Sequence, residues 1–205
     1  MKIQFLKLQK NILKVATFFA LVFLLFNCSK DEDPAPIAPT ISEQNPLPGF
    51  LTLTGLDQKK TDEINSASNV EFGLNFSPNV DGKITAIVVK LPVANPTLRV
   101  TIWDKVTGTK IRTETVDIAT ANVEVVKTIE AIPLLKDKEY VISYNTNDRY
   151  IRKRNDDAAI QYWVAVGDIY IKSFSYRNGS VATITAPIPI TNYYAGDCSF
   201  KFQKL

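Results

Sequence analysis

The densest group of side chains able to bind a charged or polar ligand lies at residues 148–157, Asp-Arg-Tyr-Ile-Arg-Lys-Arg-Asn-Asp-Asp. Forked guanidinium groups bind anionic and sugar oxygens through paired hydrogen bonds, and a tyrosine ring can stack on a sugar face. Arg149, Arg152, Arg154 and Tyr150 are therefore candidate ligand-binding residues. The alternative is a solvated hairpin whose charges offset one another. We expect a loop here, because the stretch follows the predicted end of a strand.

Aromatic side chains crowd the second half of the chain and form a second candidate site. They are Tyr150, Tyr162, Trp163, Tyr170, Tyr176, Tyr193 and Tyr194. Flat exposed rings with polar neighbours can stack on sugar C–H faces, so the pair Tyr193 and Tyr194, near Asn192 and Asp197, is the best candidate platform. Packing in a sheet or core is the alternative for each ring.

The sequence contains no histidine, which excludes Ser-His and Cys-His nucleophile pairs and imidazole metal ligands. Glycoside hydrolysis needs two acids about 5 to 10 Å apart across a cleft, whereas Asp156 and Asp157 are adjacent. We therefore predict no enzymatic activity and no cofactor, with a hydrolase as a remote alternative. Residues 79–81 and 145–148 could supply calcium ligands, but they lack the spacing of a calcium loop, and we predict no metal site.

The amino-terminal segment predicts export and lipid attachment. It carries four lysines and no acid up to Lys14, followed by an apolar run from Val15 to Phe26. This run suits a secretory signal and is too short for a permanent membrane span. Leu25 and Cys28 resemble a bacterial lipobox, although Asn27 departs from its usual small residues. We predict a signal peptide at residues 1–27 and an acylated Cys28, with an uncleaved anchor as the alternative.

The residues after Cys28 predict where the rest of the chain works. Lys30-Asp31-Glu32-Asp33 resembles the export tag of Bacteroidota lipoproteins that reach the outer face of the outer membrane; a charged linker is the alternative. Residues 28–48 are proline-rich and predict a stiff, extended tether. Removal of four lysines with the signal peptide turns the net charge of +3 into about −1, so we predict no nucleic-acid partner.

Residues 49–205 predict a single all-β domain. Alternating apolar and polar residues predict strands at residues 70–76, 84–91, 97–103, 110–117, 123–129, 139–144, 160–166, 169–176, 181–186 and 197–202. No window shows a convincing helical period over ten residues. Many short strands with glycine turns favour an antiparallel two-sheet β-sandwich, either jelly-roll or immunoglobulin-like. Cys198 alternates with Phe200 and Phe202, which predicts a buried, unreactive thiol.

Four segments carry a family resemblance: residues 70–76, 81–87, 101–104 and 138–144. In this order they resemble a family of β-sandwich domains of unassigned function, found in bacterial surface proteins and beside carbohydrate-active enzymes. The resemblance covers about Asn69 to Tyr144 and extends to the closing segment from Asn192 to Phe202, whereas residues 145–190 depart from the family's shorter connection. It implies a sandwich and no catalytic residues. Together these features favour a lipid-anchored, non-catalytic glycan-binding module; the alternative is a structural or adhesive envelope protein acting through protein contacts.

Overall fold

The computed structural model describes residues 42–183, 186–188 and 190–205. The predicted signal peptide, Cys28 and most of the predicted tether lie outside these residues. Within them, no helix has both the length and the apolar character needed to cross a membrane.

The described residues contain one helix, α1 at Pro46–Thr54, and sixteen short or medium strands. The strands are β1 Glu43–Gln44, β2 Lys59–Glu63, β3 Val70–Pro78, β4 Gly82–Val89, β5 Asn95–Asp104, β6 Lys110–Ile118, β7 Val125–Leu134, β8 Tyr140–Thr146, β9 Arg149–Lys153, β10 Ile160–Gln161, β11 Val164–Val166, β12 Ile169–Asn178, β13 Pro187–Ile188, β14 Ile190–Thr191, β15 Tyr194–Ala195 and β16 Cys198–Lys204.

Eight of these strands form the two layers of an antiparallel sandwich, which confirms the predicted fold class. One sheet has the order β1-β16-β4-β7, and the other contains β3-β8-β5-β6. β1 and β3 lie in different sheets, and the chain crosses between the two layers at β3–β4, β4–β5, β6–β7 and β7–β8.

The segment between β8 and β16 adds further strands to this sandwich. β12 extends the second sheet beyond β3 and pairs in turn with β11 and β13. A separate three-stranded sheet has the order β15-β9-β2, and β10 pairs with β14. Most of the candidate ligand-binding residues lie on these additional strands.

Alternation along β3 explains how the two sheets pack. Val70, Phe72, Leu74 and Phe76 are all buried in one hydrophobic core, as expected for residues on one face of a strand. The ring of Phe76 lies 4.3 Å, centroid to centroid, from that of Phe200 on β16. The core is thus formed by side chains from the inner faces of both sheets.

Helix α1 corrects one expectation, a tether that extends to residue 48. Asn45 caps the helix, its side chain accepting a hydrogen bond from Leu47 N, and Gly55 ends it with a φ of 72°. Proline is tolerated in the first helical turn, so Pro46 and Pro48 do not prevent a helix here. Nine residues are too few for a clear period in the sequence. Since β1 pairs with β16, the folded domain begins before the predicted boundary.

Three predicted strands differ in their limits. Residues 160–166 form two strands, β10 and β11, because the chain bends at Trp163, where φ is 79°. The strand predicted at 123–129 begins at Val125 and continues to Leu134. No strand forms at residues 181–183, and residues 184–185 lie outside the described part.

The charged stretch at residues 148–157 is the largest correction, because Arg149–Lys153 forms a strand instead of a loop. β9 lies at the centre of its sheet, with β2 on one side and β15 on the other. The acids that pair with its arginines, Glu63 and Asp197, are distant in sequence. No local pattern could show that these charges are compensated inside a sheet.

Candidate functional site

A groove of about 330 Å³ opens at one end of the sandwich, between β9 and the inner face of the second sheet. We call it the end groove. Its main lining residues are Glu63, Phe72, Arg149, Lys153, Tyr176 and Tyr193. Three of these, Arg149, Tyr176 and Tyr193, are candidate residues from the sequence, and the structure brings them together.

Strand register places Tyr176 in the end groove. It pairs with Phe72 on β3, and Phe174 pairs with Leu74, so by alternation Tyr176 shares the core-facing side of the sheet. Phe174 is fully buried, yet Tyr176 is 44% exposed. The core-facing side of the second sheet therefore extends beyond the part that the first sheet covers, and there the Tyr176 ring is open to solvent.

Arg149 is held in the wall of the end groove by three contacts. Its Nη2 donates to Glu63 Oε1 at 2.5 Å, and its Nη1 donates to Ser66 Oγ at 3.2 Å. Its guanidinium carbon also lies 5.2 Å from the centre of the Phe72 ring, within cation–π range. A guanidinium has five N–H donors, so these contacts fix the group while leaving donors for a ligand.

Tyr193 forms the other aromatic wall and is partly buried. Its ring packs edge-on to Phe174, with centroids 5.9 Å apart, and its backbone N–H donates to Thr191 Oγ1. Burial raises the pKa of Tyr193, and the neighbouring Tyr176 raises it further. The phenol is therefore neutral at physiological pH and can donate a hydrogen bond.

The structure does not support the expected pair of exposed rings at Tyr193 and Tyr194. Tyr194 is only 2% exposed, and its ring packs edge-on to Phe50 and Phe174. Because the Tyr194 ring is buried, the two rings cannot form one exposed platform. Burial raises the pKa of Tyr194 well above its usual range, and its role is in the core.

Tyr150 and Arg152 are likewise structural. Tyr150 is fully buried, and its hydroxyl donates to Asn122 Oδ1 at 2.8 Å; burial and the nearby Asp197 raise its pKa to about 12. Arg152 donates through Nε and Nη2 to the two carboxylate oxygens of Asp197. This bidentate pair lies largely buried between β9 and the start of β16, so the Arg152 guanidinium is engaged within the fold.

Arg154 lies outside the end groove. It donates to both carboxylate oxygens of Asp156 at 2.9 Å and to Thr54 O at 3.3 Å. The Arg154 guanidinium holds the pKa of Asp156 far below its usual value, so this acid stays ionised. Asp157 pairs with Lys59. For this part of the stretch, the expected mutual compensation of charges describes the structure well.

Sequence reasoning missed Glu63, Phe72 and Lys153 as site residues. β2, which supplies Glu63, has the sequence Lys-Lys-Thr-Asp-Glu and no apolar alternation, so nothing local marks it as a strand. Tyr176 was visible among the aromatic residues, and its place at the end of an alternating run was the available signal. Its exposure depends on where the opposite sheet stops, which sequence does not show.

Other polar loops are tied to the backbone. Asp81 Oδ1 accepts a hydrogen bond from Lys136 N, and Asp148 Oδ1 accepts one from Asn65 N. Among the described residues, no group of three or more Asp, Glu or Cys side chains is arranged to hold a metal ion. Cys198 is buried, and burial raises the pKa of its thiol.

The fold and the end groove define an all-β sandwich domain with an amphipathic groove at one end. Residues 57–194 match the family "Domain of unknown function (DUF4082)", and the chain belongs to that family. The match confirms that the chain carries a domain of unknown function, and it extends beyond the expected segment from Asn69 to Tyr144. It includes residues 145–190, which were expected to depart from the family pattern. A search of curated proteins found no match.

Proposed function

We propose that this protein is a non-catalytic glycan-binding module, held by a lipid on Cys28 at the outward face of a bacterial outer membrane. The end groove is the observation that carries the proposal. It combines an exposed ring, Tyr176, with a fixed guanidinium, Arg149, and an apolar floor that includes Phe72.

The chemistry of the groove suits a sugar. Sugar rings have apolar C–H faces and polar edges, so they need a flat ring beside hydrogen-bond donors and acceptors. Tyr176 supplies the ring, while Arg149, Glu63, Lys153 and Asn178 supply the polar groups. The volume of about 330 Å³ lies at the lower end of the range for small-ligand pockets, which favours one or two sugar units.

The carboxylates of the groove support binding without catalysis. Glycosidases use a pair of acids on either side of the scissile bond. Glu63 is the one acid among the described residues that line the groove, and Arg149 already pairs with it. A lone carboxylate in an ion pair is suited to hold a hydroxyl group.

A glycan panel tests the proposal. The purified full chain is screened against neutral and acidic oligosaccharides, beside Tyr176→Ala and the control Leu53→Ala, whose exposed residue lies on helix α1 away from the groove. We expect the parent and Leu53→Ala to bind the same glycans and Tyr176→Ala to lose them. Absence of binding across the panel, or equal binding by all three proteins, would refute the proposal.

The location is tested separately. If Cys28 is acylated, cells fed labelled palmitate incorporate label into the parent chain and not into Cys28→Ser, and the parent is found in the outer-membrane fraction. External protease should then degrade the chain in intact cells. A labelled but protected chain would place it on the inner leaflet, and an unlabelled chain would overturn the anchor.

A second candidate function, contact with another protein, is favoured by a different feature. At the other end of the second sheet, a cavity of about 400 Å³ lies beside the exposed side chains of Ile111 and Leu135. Val106, in the turn after β5, is 76% exposed. Co-purification of one stoichiometric envelope protein, lost on Leu135→Asp and retained by Tyr176→Ala, would support this candidate over glycan binding.

A further inference from the structure

Trp163 combines an exposed ring with an unfavourable backbone conformation. Its side chain is 69% exposed and its φ is 79°, a region that bulky residues rarely adopt. Its backbone N–H donates to Ile171 O at 3.1 Å, which fixes the residue against β12. An exposed tryptophan gains little from burial, so packing does not account for the choice of tryptophan at this position.

A β-bulge in strand β12 places the side chain of Lys172 next to the Trp163 ring. The register between β12 and β3 shifts between Ile171 and Ser173, so Lys172 is the extra residue of a bulge, a feature that redirects side chains. Its Nζ lies 3.2 Å from the centre of the Trp163 ring and 5.9 Å from that of Tyr170. In the described part of the chain, no carboxylate forms an ion pair with Lys172.

The second tryptophan shows what a structural role looks like in this fold. Trp103 is 3% exposed, and its indole Nε1 donates to Ser143 Oγ at 2.8 Å. Trp163 is exposed instead, and its ring lies beside the long, charged side chain of Lys172. Trp103 therefore belongs to the buried interior, whereas Trp163 lies on the surface.

We propose that Trp163, Lys172 and Tyr170 form a second binding site, which accepts an acidic saccharide. The C–H face of the sugar stacks on the indole ring, and the Lys172 ammonium pairs with the anionic group. An exposed cation–π contact is worth only about 0.5 to 1 kcal/mol, so the ammonium readily leaves the ring for a carboxylate or sulfate. No bond is formed or broken in this step.

This site is distinct from the end groove. Tyr170 pairs with Ser77, whereas Tyr176 pairs with Phe72, so the two tyrosines lie on opposite faces of the sheet. Six residues separate them along β12, about 20 Å at 3.3 Å per residue. Each site can therefore be removed without touching the other.

Tryptophan fluorescence of the full chain gives a direct test, with Trp103→Phe as the background so that Trp163 is the only indole. The probes are an oligogalacturonate, a sulfated oligosaccharide and a neutral oligosaccharide of similar length. We expect at least one acidic probe to change the emission, Lys172→Met to weaken its binding about tenfold, and Tyr176→Ala to leave it unchanged. The two acidic probes distinguish a carboxylate from a sulfate ligand.

A second variant separates binding from folding. Trp163→Gly removes the ring and suits a positive φ, so we expect it to keep or raise the thermal midpoint while losing the acidic saccharide. The inference is overturned if neither acidic probe changes the emission, if Lys172→Met binds as tightly as its background, or if Trp163→Gly lowers the midpoint by several degrees. Because Tyr176 is intact in these variants, failure here leaves the end-groove proposal to its own test.

Discussion

Arg149 Nη2 lies 2.5 Å from Glu63 Oε1, so two residues from neighbouring strands set the position of the cation in the end groove. The pair joins β9 to β2 in a part of the molecule where both strands are short. A guanidinium held in this way presents its remaining donors in a fixed direction, which reduces the entropy lost when a ligand binds.

Replacing Arg149 by lysine should therefore weaken glycan binding. Lysine keeps the charge but cannot contact Glu63, Ser66 and a ligand in the same planar geometry. We expect about a tenfold loss of affinity in a calorimetric titration, equivalent to one charged hydrogen bond. Arg154→Lys is the matched control, since Arg154 lies outside the groove, and its affinity should equal that of the parent. Equal losses in both variants would contradict this assignment.

Tyr194→Ala should act on stability. The side chain is buried against Phe50 and Phe174, and removing a large buried ring costs about 3 to 5 kcal/mol of unfolding free energy. Tyr176→Ala, at an exposed position, should cost less than about 1 kcal/mol. Urea unfolding measures both. A small effect of Tyr194→Ala would show that the ring is not part of the core.

Gly196→Ala should destabilise the domain for two reasons. Gly196 has a φ of 97°, which favours glycine, and an added Cβ would lie 1.7 Å from the Tyr144 hydroxyl. Gly108→Ala is the control, because Gly108 also has a positive φ, of 72°, but open space around it. We expect about 1 kcal/mol for Gly108→Ala and clearly more for Gly196→Ala. Equal costs would mean that Tyr144 can move aside freely.

The ion pair of Asp104 with Lys138 should make part of the free energy of unfolding depend on pH. Lys138 Nζ lies 2.8 Å from Asp104 Oδ2, and this contact, with the Thr107 N–H, holds the pKa of Asp104 below its ordinary value of 3.8. A lowered folded-state pKa contributes stability that is present above the unfolded pKa and lost as the pH falls through the folded pKa.

We therefore expect Asp104→Asn to be less stable than the parent at neutral pH, and the difference to shrink steadily below about pH 4. Urea unfolding at a series of pH values measures this difference. A gap that stays constant down to the lowest pH at which the chain folds would show that the carboxylate charge is not responsible.

The sequence predicted most of the sandwich strands, but it did not predict helix α1 or strand β9. The strands around Phe72, Val100 and Phe200 could be predicted because one face of each is apolar and buried. Helix α1 could not, because nine residues with two prolines in the first turns leave no readable period. The strand Arg149–Lys153 could not either, since its charges are neutralised by Glu63 and Asp197, which only the folded chain brings near.

The candidate site, like the fold, could be predicted only in part from the sequence. Residue type alone indicated arginines and tyrosines, but exposure decides which of them can bind a ligand. Tyr150 and Tyr194 lie in the buried interior, and Arg152 is part of a largely buried ion pair. Arg149 and Tyr193 line the end groove. Tyr176 joined them because the covering sheet ends before it, a property of the assembled sandwich.

Calorimetric titration of the best glycan from the panel into the parent chain, Tyr176→Ala and Leu53→Ala tests the central claim most directly. The account predicts saturable binding with one end-groove site in the parent and in Leu53→Ala, and none at that site in Tyr176→Ala, with all three proteins equally folded. Unchanged heat and affinity in Tyr176→Ala would contradict it.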